Sequence, residues 1–284
     1  SNFDKTIILD MIKYFSDAKI NKILFPNIDY YHIKKKEIEK IEKADPYIIT
    51  RDISFWRRKK ETEDIDQELF FNNVNDNWYN FISYKKEKII SFPGIIAINE
   101  FKYHPLSIRP NDIIVPGVKY YYRKLAISQI KSTNIKMRTK IYEQTRPIIS
   151  RIIRYTNSRI LINLFNSYFN GIIEDSKIAY TCGSALGYPL RKFIEIPAKG
   201  TLLISNPFFG FENFGFIDGH NFISAHPNEI LEKTTFYLSN LDKAQQIAIN
   251  GQTMVFNNHS FYARMNQLLL ITNSMINNSL GDIK

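Results

Sequence analysis

The stretch SKIAYTCGSALGYPLRKFIEIPAKGTLLISN, residues 176–206, decides the fold of this chain. Residues 178–182 form an apolar run with the length of a buried strand, and residues 201–205 form a second one. Between them, apolar side chains recur at helical spacing up to Pro197 and Gly200, two residue types that end helices. The stretch therefore predicts a β-α-β unit of an α/β fold with a parallel sheet.

A loop of small residues lies between the first predicted strand and the helix, which Pro189 is expected to begin. In a parallel sheet this loop lies at the carboxyl edge, where α/β proteins bind anionic ligands at backbone N–H groups. We therefore predict a phosphate-binding loop that contains Gly183, Ser184, Gly187 and Tyr188.

Arg191 and Lys192 follow this loop in the first turn of the predicted helix. Consecutive side chains of a helix point about 100° apart, so at most one of these two side chains faces the ligand-binding edge of the sheet. Arginine grips phosphate with two parallel hydrogen bonds, which favours Arg191 as the phosphate ligand. The alternative for Arg191 is a salt bridge at the surface.

The length of the chain and its net charge limit the number of domains and the kinds of partner. A chain of 284 residues predicts two domains. The net charge of +10, from 38 basic and 28 acidic residues, favours anionic partners such as nucleotides, nucleic acid or anionic lipid. A general bias towards lysine is the alternative source of this charge.

Cellular location is predicted from what the sequence contains. Cys182 is the single cysteine, which excludes an internal disulfide and favours a reducing compartment. The sequence shows no signal-peptide pattern and no apolar run near the roughly 20 residues of a membrane span. We expect a cytoplasmic protein that is at most peripheral, at the inner face of an anionic membrane.

The N-terminal half alternates predicted helices and strands. Helical spacing covers residues 3–18 and 34–43, and strands are predicted at 22–28, 46–50, 88–94 and 112–117. Residues 51–76 are first basic and aromatic and then acidic, which predicts an irregular connection. The basic part is alternatively a contact for an acceptor phosphate or an anionic membrane.

The C-terminal half continues the alternation around the central unit. Helices are predicted after residue 124, at 160–173 and at 227–238, with a strand at 221–224 and helix caps at Asn240 and Ser260. The tract of residues 131–160 is basic and contains Tyr142 and Tyr155. Its charges are spread out and no nucleic-acid motif accompanies them, which argues against nucleic acid as a partner.

A family resemblance rests on three segments in order: RKFIEIPAKGTLLISN, FGFIDGHNFI and NGQTMVFNNHSFYARMNQLL. Together they resemble the C-terminal half of group 1 glycosyltransferases, closest to the branch typified by the spore-maturation protein CgeB. The resemblance covers residues 123–270. Residues 193–200 match the family's FE-x-x-A-C-G motif, with Lys199 in place of the cysteine.

The resemblance implies a GT-B-like architecture, in which two Rossmann-like α/β domains face each other across a cleft. Residues 1–117 would form a short acceptor-side domain and residues 118–284 the nucleotide-sugar-binding domain. The implied activity moves a sugar from a nucleotide-sugar donor to a hydroxyl of a saccharide or lipid-linked acceptor, in surface polysaccharide or glycoconjugate synthesis, without a cofactor. The alternative is a GT-B-like domain that has lost catalysis and binds a ligand or partner.

The resemblance also assigns residues. Glu195 would accept hydrogen bonds from donor hydroxyls, foremost those of the ribose. Arg123, in a Tyr-Tyr-Tyr-Arg element similar to the family's Y-P-x-R, opens the donor domain and is expected to bind the diphosphate. Glu100 and His104 follow a predicted strand and are the candidates for the catalytic base. Gly187 stands where related enzymes often carry a second glutamate.

No metal site is predicted. Asp64 and Asp66 fit the Asp-x-Asp pattern by which metal-dependent glycosyltransferases hold a diphosphate, but they lie in the acidic connector and not at a strand end. We therefore expect a metal-independent enzyme.

Overall fold

The computed structural model describes residues 23–24, 39, 43, 47–50, 89–91, 94–117, 121–138, 159–183, 190–206 and 211–276. The chain divides into two compact units, one of Ser1–Gly94 with Tyr262–Lys284 and one of Ile95–Phe261. The predictions for residues 3–18 and 51–76 lie outside the described residues. As functional domains, residues 1–117 and 118–284 stay a prediction.

The first unit contains a parallel three-stranded sheet in the order β1-β2-β3. Its strands are β1 (Ile23–Leu24), β2 (Tyr47–Thr50) and β3 (Ile89–Ser91). Each lies inside a strand predicted from the sequence, so the alternating pattern of this half is confirmed at these three places. Glu39 and Lys43 are helical and exposed, as the charged helix predicted at 34–43 requires.

The second unit contains a five-stranded sheet in the order β5-β4-β6-β7-β8, in which every pairing is parallel. The strands are β4 (Asn111–Ile114), β5 (Met137–Arg138), β6 (Ser176–Thr181), β7 (Leu202–Ser205) and β8 (Ile223–Ser224). The sequence pattern placed β4 at the end of the N-terminal half. In the structure, β4 pairs with β5 on one side and with β6 on the other.

The chain after β4 contains the helices α1 (Tyr121–Lys131), α2 (Arg159–Glu174), α3 (Lys192–Ala198), α4 (Ile230–Ser239), α5 (Leu241–His259) and α6 (Phe261–Ile276). The predicted β-α-β unit is confirmed as β6, α3 and β7. Helix α3 ends after Pro197, and Gly200 follows with φ +62°, a left-handed conformation that favours glycine. Pro189 itself lies outside the described residues, but Leu190 is not helical and the helix begins at Lys192, so the predicted start at Pro189 is wrong and Arg191 is the N-cap residue.

The second sheet is buried on both faces, as parallel sheets usually are. Alternate residues of one strand enter different core clusters: Ile178 and Tyr180 pack with α1 and α4 residues, whereas Ala179 packs with α3 residues. Burial on both faces explains why the strands read as continuous apolar runs, which made them visible in the sequence.

Candidate functional site

The switch point of the second sheet lies between β4 and β6. The chain leaves β4 towards β5 on one side, and it leaves β6 towards β7 on the other. In open α/β sheets, ligands bind in the crevice at the carboxyl ends of the two strands where the strand order reverses. Here those ends are followed by Gly117 and by Cys182 and Gly183.

Arg123 joins the two sides of this switch point. It belongs to α1, which follows β4, and its side chain is only 1% exposed. Its Nη2 donates to the hydroxyl of Thr181, the last residue of β6, at 2.8 Å, and to the carbonyl of Cys182 at 3.4 Å. These bonds hold a guanidinium at the carboxyl ends of both strands, where the sequence predicts a diphosphate ligand.

Gly117 lets the backbone after β4 approach two cations. Its φ is +103°, and a Cβ atom at this position would lie 2.6 Å from Nη1 of Arg123 and 3.4 Å from Cε of Lys192. The conformation therefore favours glycine, and a Cβ atom at this position would displace the guanidinium of Arg123. The side chains of Arg123 and Lys192 come from different helices and meet at this backbone.

Lys192 is the second cation of the site. Its Nζ lies 3.3 Å from Oε2 of Glu195 and 4.0 Å from the ring centroid of Phe169, and the Lys192 and Glu195 side chains are only 16% and 11% exposed. Burial lowers the pKa of Lys192, the charge of Glu195 partly opposes this shift, and the charges of Arg123 and Arg191 add to it. Arg123, Lys192 and Glu195 thus form a compact group with two positive charges and one negative charge, which suits an anion.

Arg191 and Glu100, both predicted site residues, contact each other. Nη2 of Arg191 donates to both oxygens of Glu100 at 2.7 Å, and Nη1 donates to the carbonyl of Ile95 at 3.1 Å. Glu100 also accepts from the backbone N–H of Ala97 at 3.1 Å. This salt bridge is the alternative that the sequence left open for Arg191. The roles of Arg191 in phosphate binding and of Glu100 in catalysis stay predictions.

His104 lies at the opposite edge of the sheet. Its carbonyl accepts from the guanidinium of Arg109, which also binds the carbonyls of Ser176 and Gly200 at the amino ends of β6 and β7. Burial lowers the pKa of Arg109 to about 10, so its side chain is charged at neutral pH. Its hydrogen bonds hold the backbone at His104 in place. The structure does not bring His104 together with Arg123, and its catalytic role stays a prediction.

Gly183 is buried, follows Cys182 after the end of β6, and lies at the predicted edge. Ser184, Gly187 and Tyr188, the other members of the predicted phosphate loop, lie outside the described residues. Within the described part of the chain, no group of three or more His, Cys, Asp or Glu side chains could hold a metal ion. No helix there is long and apolar enough to cross a membrane.

Sequence reasoning missed Lys192, a member of the group, and Gly117, which borders it. Lys192 was set aside in favour of Arg191, although its spacing of three residues from Glu195 is a helical neighbour relationship. Gly117 was seen only as the end of a strand, and a glycine directly after a buried strand is a signal for close backbone approach.

Comparison with known structures agrees with the fold. The chain is similar to HepE of Anabaena in complex with UDP-glucose, with a TM-score of 0.56, 12% identity, and coverage of 89% of this chain and 79% of HepE. It is also similar to sucrose-phosphate synthase of Thermosynechococcus elongatus, with a TM-score of 0.53, 10% identity, and coverage of 85% and 71%. At these identities the likeness shows a shared α/β fold. No curated protein sequence matches the chain.

The family is shown by sequence. The family model described as "Glycosyl transferase-like" matches residues 123–270, which include Arg123, Lys192 and Glu195. The CgeB-like branch stays a prediction. Because the match covers more than half of the 284 residues, this chain belongs to the glycosyl transferase-like family.

Proposed function

We propose that this chain transfers a sugar from a nucleotide-sugar donor to a hydroxyl of a saccharide or lipid-linked acceptor. The observation that carries the proposal is the group of Arg123, Lys192 and Glu195 at the switch point of a parallel sheet. Family membership supports the reaction class. HepE, whose fold is similar, is known in complex with UDP-glucose and with UDP, which supports the donor class.

The two cations are suited to the diphosphate of such a donor. A nucleoside diphosphate gains negative charge as the bond to the sugar breaks, and positive groups placed beforehand stabilise that charge. Arg123 is held by Thr181, and Lys192 is held against Phe169 and Glu195, so little reorganisation is needed when the charge develops. We assign the compensation to these side chains and propose that no divalent metal takes part.

Glu195 is suited to the hydroxyls of the ribose. A carboxylate has two oxygens and can accept from two adjacent hydroxyls at once. Glu195 lies one helical turn from Lys192, so a ligand with a phosphate near a diol can reach both side chains. The hydroxyls thereby fix the position of the diphosphate between the cations.

The wider architecture follows from the same proposal. The three-stranded sheet of the first unit would belong to the acceptor side of a GT-B-like pair of domains. The positive net charge of +10 supports a peripheral contact with an anionic membrane that presents a lipid-linked acceptor. Synthesis of surface polysaccharide or glycoconjugate is the process in which such an acceptor is used.

A chain that binds the donor without transferring the sugar is the second candidate. One observation favours it: both oxygens of Glu100, a candidate catalytic base, are held by Arg191. Turnover of the donor separates the two candidates.

Donor binding is tested by a thermal-shift screen of the full chain against UDP-, GDP- and ADP-sugars. A ligand at 100 times its dissociation constant should raise the free energy of unfolding by about 2.7 kcal/mol. We expect at least one nucleotide-sugar to do so and Arg123→Ala to abolish the gain. If no nucleotide-sugar stabilises the chain, the proposal is wrong.

A further inference from the structure

We infer that the ion pair of Lys192 and Glu195 selects nucleoside diphosphates against anions that carry phosphate alone. The pair would open only for a ligand that offers phosphate to Lys192 and hydroxyls to Glu195 at the same time. The inference rests on the proposed function, because that function places a nucleotide at the switch point.

Lys192 is held on three sides in the structure. Its Nζ contacts Oε2 of Glu195 at 3.3 Å and lies 4.0 Å from the ring centroid of Phe169. Its Cε lies 3.4 Å from the place that a Cβ of residue 117 would take, so the backbone of Gly117 borders the stem of the side chain. An anion therefore meets a lysine whose charge is already matched by a carboxylate.

An anion that binds Lys192 alone meets an electrostatic cost. If Glu195 stays in place, two negative charges lie close together in a partly buried site of low dielectric. If Glu195 is displaced, a carboxylate that is 11% exposed loses its cation and is left without compensation. Inorganic pyrophosphate has no hydroxyl to offer this carboxylate, so it carries the full cost.

A nucleoside diphosphate avoids this cost. Two ribose hydroxyls can donate to the oxygens of Glu195 and replace the hydrogen bond that Lys192 gave. Lys192 is then released to the diphosphate and joins Arg123, which Thr181 holds in position. The exchange leaves every charged group of the site with a partner.

The expected signature is a change of opposite sign for two ligands. In Glu195→Gln, Lys192 is no longer neutralised, so pyrophosphate should bind about fivefold tighter or more. The same variant loses the charged acceptor for the ribose, so the nucleoside diphosphate should bind about fivefold weaker or more. Removal of a structural ion pair alone would weaken both ligands together.

The experiment is isothermal titration calorimetry on the full chain with three ligands. These are whichever of UDP, GDP and ADP stabilises the chain most, its 2′,3′-dideoxy analogue, and inorganic pyrophosphate. Glu195→Gln is compared with the wild-type chain and with Glu232→Gln, which alters an exposed carboxylate on α4. The control should leave all three affinities unchanged.

Changes of the same sign for the nucleoside diphosphate and pyrophosphate in Glu195→Gln would overturn the inference. The inference is also wrong if the wild-type chain binds the nucleoside diphosphate and Glu195→Gln binds pyrophosphate no more tightly than the wild-type chain does. That result would not contradict the proposed function. If Glu195→Gln does not fold, the inference is tested by the affinity of the wild-type chain for the dideoxy analogue. Its affinity should fall towards that of pyrophosphate, and an affinity equal to the parent's would refute the inference. A wild-type chain that binds no nucleoside diphosphate refutes the proposed function itself.

Discussion

Arg191 and Glu100 form a bidentate ion pair, in which Nη2 lies 2.7 Å from both carboxylate oxygens. The Arg191 side chain is 47% exposed, so the pair is a surface ion pair of the kind that contributes about 0.2–1 kcal/mol to stability. The next residue, Lys192, instead contacts Glu195 and Phe169. Two neighbouring cations therefore serve different partners.

The first prediction compares these two cations. The sequence predicts the larger loss of activity for Arg191, whereas the burial of Lys192 beside Arg123 favours the reverse order. We expect Lys192→Met to lower kcat/KM for the donor at least tenfold, about 1.4 kcal/mol of barrier. Arg191→Met should lower it less than about threefold, since its partner is a surface carboxylate. Steady-state donor consumption measures both values.

The matched control for this comparison is Lys131→Met, which alters an exposed lysine at the end of α1 and should keep the wild-type rate. If both variants fold and kcat/KM falls more in Arg191→Met than in Lys192→Met, Arg191 and not Lys192 binds the phosphate.

The second prediction uses a pair of glycines. Gly117 and Gly219 both have positive φ, at +103° and +72°, but a Cβ meets Arg123 and Lys192 only at position 117 and meets nothing within 4 Å at position 219. Both alanine variants should lose stability through backbone strain, on the order of 1 kcal/mol. Only Gly117→Ala should also displace the cations and lower donor affinity at least fivefold, about 1 kcal/mol.

Urea unfolding and calorimetric donor titration measure the two effects separately. Equal donor affinities in the two glycine variants would show that the close approach at Gly117 has no role in the site.

The third prediction concerns pH. Burial lowers the pKa of Lys192 below its ordinary value of 10.5, with further lowering by Arg123 and Arg191 and opposition from Glu195. The unfolded chain therefore binds this proton more tightly, and this group makes the free energy of unfolding rise with pH between the lowered pKa and 10.5. Donor binding needs the charged form, so donor affinity should fall as pH rises through the lowered pKa.

Donor titrations between about pH 7 and pH 10 test this, because an ordinary lysine is charged over that range. Lys192→Met should show a flatter profile than the wild-type chain. If the two profiles are parallel, Lys192 does not carry the charge that binds the donor.

The second sheet was largely predictable because its strands are buried on both faces. Continuous apolar runs mark β6 and β7, and Pro197 and Gly200 mark the end of α3. The position of β4 in the second sheet was not predictable, because the sequence of an apolar strand does not show which strands pair with it. Strand pairing is settled by contacts between residues far apart in sequence, such as Ile113 with Ile178.

The candidate site was predictable in part. Arg123 and Glu195 were named, and the structure places both at the switch point. Arg191 was preferred to Lys192 because arginine binds phosphate with two hydrogen bonds, but residue type does not show which of two neighbouring side chains is buried. The contact of Lys192 with Phe169 joins two helices and has no local signature.

The fourth prediction concerns metal ions. If Arg123 and Lys192 compensate the diphosphate, treatment with EDTA should leave the rate of donor consumption within about twofold of the untreated rate, because the protein's own cations supply the charge. Donor consumption is measured before and after chelation, and again after Mg²⁺ or Mn²⁺ is added. Loss of activity that either metal restores would contradict metal-independent transfer.

The central claim is that Arg123 holds the donor while its sugar is transferred, and release of nucleoside diphosphate tests it most directly. The full chain is incubated with the nucleotide-sugar that stabilises it most, with and without saccharide and lipid-linked acceptors, beside Arg123→Ala and the Lys131→Met control. The account predicts release by the wild-type chain and the control, and release at least tenfold slower, about 1.4 kcal/mol of barrier, in Arg123→Ala. A wild-type chain that binds the nucleotide-sugar yet releases no nucleoside diphosphate under any of these conditions would contradict the account and establish a binding protein instead.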